Sequence, residues 1–61
     1  MINMENKLKK KSIFVVDDEN DILELVDINL KKNGYDVETF LYANTFFERL
    51  KAQIPDLIIL D

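Results

Sequence analysis

The chain is 61 residues long, which allows one small domain at most, and a domain of that size buries only about 60% of the surface its unfolded chain exposes. Hydrophobic residues at 48%, charged residues at 33%, one Gly and one Pro describe a globular sequence and exclude a linker or a repeat array. With no Cys and no His, disulfides, zinc-thiolate sites, imidazole ligands and the usual general base are all excluded, and the absence of cysteine fits a cytoplasmic protein.

The net charge of −4 is unevenly spread, and the chain opens on its basic part. Lys7, Lys9, Lys10 and Lys11 form a solvated lead-in over residues 1–11; the apolar run that follows is too short to be the hydrophobic region of a signal peptide. That run, Ile13-Phe14-Val15-Val16, belongs to a first strand predicted over Ser12–Val16. Its unbroken apolar character suits a central strand covered on both faces. It ends on Asp17-Asp18. From Asp17 to Asp27 there are six acids and no base, which argues against nucleic-acid contact there.

A first helix is predicted from Asn20 or Asp21, where Asp21 and Glu24 have capping-box spacing, to Asn33-Gly34, where glycine supplies a left-handed stop. Lys31 and Lys32 complement the carbonyl end of its dipole, and Asp27 and Lys31 form an i,i+4 pair. Ile22, Leu25, Val26 and Leu30 make the expected buried stripe, with Leu23 at its border and Ile28 off it. The second strand, Tyr35 to Phe40, alternates Tyr35, Val37 and Thr39 with Asp36 and Glu38, as a half-covered edge strand does.

A second helix is expected over roughly Asn44 to Ala52, with a capping box at Thr45 and Glu48 and an apolar face of Phe46, Phe47, Leu50 and Ile54 before Pro55. The third strand, Leu57-Ile58-Ile59-Leu60, opens onto Asp61. No stretch approaches the length of a membrane span.

The β-α-β-α-β order, with right-handed crossovers, gives an α/β doubly wound parallel sheet of strand order 2-1-3 and helices on opposite faces. The crevice at the carboxyl ends of strands one and three is then the expected ligand site of such a sheet. Adjacent parallel strands lie about 4.8 Å apart, so Asp17, Asp18 and Asp61 converge there. Three carboxylates this close call for a hard divalent cation such as Mg²⁺. Simpler roles compete residue by residue: Asp18 and Glu19 also suit the positive end of a helix, worth about 0.3–1 kcal/mol, and Asp61 also suits a turn after a strand. Asp56 after Pro55 reads as turn chemistry.

Taken together, Ile13-Phe14-Val15-Val16-Asp17-Asp18-Glu19, Asn33-Gly34-Tyr35 and Pro55-Asp56-Leu57-Ile58-Ile59-Leu60-Asp61 resemble the amino-terminal half of a bacterial response-regulator receiver domain, a flavodoxin-like fold. The resemblance runs over residues 12–61 and implies a chain cut after strand three. It implies two-component signalling: Asp61 matches the phosphoacceptor that takes a phosphoryl group from a sensor histidine kinase, Asp18 matches the direct Mg²⁺ ligand, and Asp17 matches its neighbour acting through metal-bound water. It further implies a cytoplasmic phosphoprotein that is not an enzyme in the ordinary sense. A receiver–receiver dimer and an output domain, often DNA-binding and absent from this chain, complete the expected partners, with no membrane involved. Phe46 departs from the family pattern, where a small residue is common, and Asn29 interrupts the stripe of helix one. The family's hydroxyl residue, lysine and switch aromatic have no counterpart in these 61 residues. Two alternatives stand beside this reading. One is a truncated or degenerate receiver acting only as an interaction module. The other is a Mg²⁺-dependent aspartyl phosphatase of the haloacid dehalogenase type, which would want Asp-x-Asp rather than adjacent acids.

Overall fold

A computed structural model describes residues 10–61, so Lys7, Lys9 and most of the basic lead-in lie outside the described residues, while Lys10 and Lys11 are exposed. The elements follow the order β1 (Ser12–Val16), α1 (Asn20–Lys32), β2 (Asp36–Phe40), α2 (Ala43–Leu50) and β3 (Leu57–Leu60). All pairings are parallel and the sheet order is β2-β1-β3, the doubly wound arrangement expected from the sequence.

Because side chains alternate along a strand, β1 feeds two separate cores. Ile13 and Val15 point to one face, where they pack with Val37 and with Leu23 of α1, flanked by Val26, Leu30 and Leu41. Phe14 points to the other, where it meets Phe40 and Phe46 of α2, flanked by Val16 and Leu50. The helices therefore cover opposite faces. In the second core the three phenyl rings lie edge to face, with centroids 5.1 Å (Phe14–Phe40), 6.3 Å (Phe14–Phe46) and 5.7 Å (Phe40–Phe46) apart. That geometry sets the positive ring edge against the negative ring face and adds about 0.5–1.5 kcal/mol per pair to the burial itself. Phe46, the departure from the family pattern, is thus accommodated as the third member of an aromatic cluster.

The helix faces and caps differ from expectation. In α1 the residue fully buried is Leu23, with Val26 and Leu30 beside it, whereas Ile22 and Leu25 are exposed. The contact stripe is i, i+3, i+7 from Leu23, rotated from the predicted one, because periodicity alone cannot fix the direction in which a broad apolar arc faces its sheet. Neither capping box forms. The cap positions are Glu19 and Tyr42, and neither makes a side-chain cap hydrogen bond. Asp21 lies inside the first turn of α1. Thr45 lies inside α2, where its hydroxyl donates to the Tyr42 carbonyl at 2.8 Å. Helix α2 starts at Ala43 and ends at Leu50, which leaves Ile54 78% exposed and Phe47 on the outer side at 60%. Strand β2 starts at Asp36 and not at Tyr35, and Thr39 is exposed, so only Val37 of the predicted inner set is buried.

The end of α1 is as expected. Gly34 has φ +91°, a conformation that costs side-chain-bearing residues energy and glycine none. Its N–H donates to the Lys31 carbonyl at 3.0 Å and the Tyr35 N–H to the Leu30 carbonyl at 3.1 Å, the paired bonds of a Schellman stop. Lys31 reaches Asp27 at 3.1 Å, the predicted i,i+4 pair. Across the other face, Arg49 of α2 grips Glu38 of β2 through Nε at 2.8 Å and Nη2 at 2.9 Å, which ties the helix to the edge strand. The side-chain hydrogen bond to Glu38 raises the Arg49 pKa above its ordinary value.

Candidate functional site

Register brings the acids together. Val16 pairs with Phe40 on one side and Leu60 on the other, so the residues that follow leave the sheet side by side. The Asp17 N–H continues the ladder to the Phe40 carbonyl at 3.1 Å, and the Asp61 N–H does the same to the Val16 carbonyl at 3.2 Å. The backbone of both residues is thereby fixed before any side-chain chemistry is considered.

Their side chains differ in setting. Asp17 is 7% exposed, and its Oδ1 accepts the Glu19 N–H at 2.8 Å, an Asx-type bond two residues along the chain. A buried carboxylate needs such a donor, and here the donor is an amide at the start of α1, where the helix leaves N–H groups without intrahelical partners. Asp18 and Asp61 are exposed. One carboxylate oxygen from each of Asp17, Asp18 and Asp61 lies within 4.8 Å of the others.

Two unit charges at that separation repel by about 1 kcal/mol in bulk water and by roughly 3 kcal/mol at the effective dielectric of a protein surface. A bound cation would offset the repulsion of three such pairs. The donor set is oxygen only, which fits a hard divalent ion such as Mg²⁺ and not a soft or borderline metal. All three acids singled out by sequence are therefore neighbours in the fold.

Two further polar contacts flank the opposite end of the sheet, and sequence reasoning missed the first. Asp56 is no mere turn residue: its Oδ2 accepts the Ser12 N–H at 2.7 Å, and its own N–H donates to the Ser12 carbonyl at 2.8 Å. This clamp locks β3 to β1 at their amino ends, and so sets the register that places Asp61 beside Asp17 at the other. The readable signal was a hydroxyl residue heading one parallel strand and an acid immediately before the next. The second contact, the Asp36 N–H to the Lys11 carbonyl at 2.9 Å, secures β2 in the same way.

No protein-family model matches the chain, and no solved structure matches it. Among curated proteins it is similar to the alkaline phosphatase synthesis transcriptional regulatory protein PhoP of Bacillus subtilis (strain 168), with 43% identity over 51 residues. The similarity covers 84% of this chain, which spans about a fifth of that relative's length, 21%.

Proposed function

We propose that this chain belongs to a response-regulator receiver domain and accepts a phosphoryl group on Asp61 in two-component signalling. The observation that carries this reading is the convergence of the Asp17, Asp18 and Asp61 carboxylates at the carboxyl ends of adjacent parallel strands. Asp18 and Asp61 are both exposed, with no hydrogen bond to either side chain among the described residues, and of the two Asp61 is the one that directly follows its strand, which supports it as the nucleophile.

In the proposed step an Asp61 carboxylate oxygen attacks the phosphorus of a phosphohistidine on a sensor kinase. The P–N bond breaks, its electron pair stays with the imidazole, and the phosphoryl group is left as a mixed anhydride on Asp61. Asp18 and Asp61, with Asp17 behind them, would hold Mg²⁺. When bound, that ion neutralises the charge of the incoming phosphoryl oxygens. Asp17 contributes as a fixed charge: the Glu19 amide and the backbone bond to Phe40 hold it in one orientation. The chain is then a phosphoryl acceptor rather than an enzyme acting on a separate substrate. The kinase, a cytoplasmic setting and an output domain belong to the whole protein and form part of the same proposal.

The test is intact-mass analysis of the full-length protein with Mg²⁺ and a small acyl phosphate. One phosphoryl group should be added, and Asp61→Asn should abolish it. Labelling that persists in the Asn variant would move the acceptor to another residue and overturn the assignment.

A further inference from the structure

The end of α1 joins two residues whose combination is chemically unstable in an unfolded chain. Asn33 is followed by Gly34, while Asn3, Asn6, Asn20, Asn29 and Asn44 are each followed by a residue with a side chain. The backbone nitrogen that follows an asparagine attacks the side-chain amide carbon more readily the less its own residue obstructs the approach, and glycine obstructs least. Both residues are exposed, and nothing lies within 4 Å of where a Gly34 Cβ would stand. In the fold, however, both partners of that attack are held apart. The Asn33 Nδ2 donates to the Asn29 carbonyl at 2.8 Å, and the Gly34 N–H donates to the Lys31 carbonyl at 3.0 Å. The Asn33 backbone, at φ −92° and ψ 10°, carries the Gly34 nitrogen in the helix-stop direction.

We propose that Asn33-Gly34 is a site of spontaneous deamidation gated by this helix stop, with water as the only co-reactant. Hydroxide removes the Gly34 N–H proton and the nitrogen bonds to Asn33 Cγ. The Cγ–Nδ2 bond breaks, and ammonia leaves after taking a proton from water. A second water opens the resulting succinimide at either carbonyl, giving aspartate or an isoaspartyl linkage at position 33. No oxidant or reductant is involved.

The product is not neutral for the fold. A carboxylate cannot donate to the Asn29 carbonyl, and it adds negative charge at the negative end of the α1 dipole. The isoaspartyl form also lengthens the backbone by one carbon just before β2. Reclosing of the stop is thus opposed once modification has occurred, so the site records how often the end of α1 has opened.

The experiment incubates the full-length protein at mildly alkaline pH, native and in urea, and follows residues 25–38 by peptide mapping with isoaspartate detection. In urea Asn33 should be modified before any other asparagine of residues 1–61. In native protein its rate should be lower by about tenfold or more, since opening of the helix end must come first. Gly34→Ala should slow the reaction in urea, where the fold has no part. Equal native and denatured rates would overturn the gating, and earlier modification of another asparagine, or no effect of Gly34→Ala in urea, would overturn the site.

Discussion

At the scale of single residues, the contact with most reach is the clamp between Asp56 and Ser12. Its Oδ2 accepts the Ser12 N–H at 2.7 Å, a charge-assisted bond, yet both residues touch solvent. Exposure discounts such a bond from the roughly 1.5–3 kcal/mol of a buried example to about 1 kcal/mol. Asp56→Ala should therefore lower the urea midpoint of the full-length protein by an amount equivalent to about 1 kcal/mol, with the slope of the transition unchanged. An unchanged midpoint would show the clamp to be incidental. The acids at the other end were legible in the sequence because each directly follows a buried strand, and parallel pairing leaves such residues no other place. Asp56 was not legible as a clamp, because a Pro-Asp pair ahead of a strand is equally good turn chemistry and the register that selects between them is a property of the sheet. The Glu19 amide that orients Asp17 was invisible for a related reason: any residue at that position supplies an N–H.

At the scale of elements, strands were easier to read than helix faces. β1 is apolar at every interior position because it is covered twice, and that pattern has one interpretation. The α1 stripe was misjudged by its rotation, since Ile22, Leu23, Leu25, Val26, Ile28 and Leu30 leave an apolar arc wide enough for several orientations. In α2 the adjacent Phe46 and Phe47 look equivalent in sequence, but a helix turns about 100° between them, and only Phe46 reaches the sheet. It is 5% exposed against 60% for Phe47. Phe46→Ala should thus destabilise the protein by about 3–4 kcal/mol, through lost burial and a cavity beside Phe14 and Phe40. Phe47→Ala should cost about 1 kcal/mol or less, since Phe47 is exposed and its ring meets that of Phe46 at 5.1 Å. Thermal or urea unfolding of the two variants side by side measures the difference, and equal losses would contradict the observed helix rotation.

At the scale of the whole molecule, the two sheet edges are unlike. β2 carries Asp36 and Glu38, and Arg49 reaches over from α2 to hold Glu38, features that discourage pairing with another strand. β3 carries four consecutive apolar residues, and all four are exposed, at 53% for Leu57, 40% for Ile58, 37% for Ile59 and 67% for Leu60. An uncharged apolar strand with one row of backbone groups unpaired is a template for a further strand. A polypeptide of these 61 residues should therefore associate through β3 and not persist as a compact monomer. Sedimentation velocity should show species that grow with concentration, and hydrogen exchange should show weaker protection in β3 than in β1 at low concentration. Ile59→Lys should shift the distribution toward smaller species, because a lysine ammonium on that edge is stranded when another strand covers it. Concentration-independent monomers with cooperative unfolding and equal protection in all three strands would refute the argument, and would mean that two one-sided cores suffice to hold this sheet.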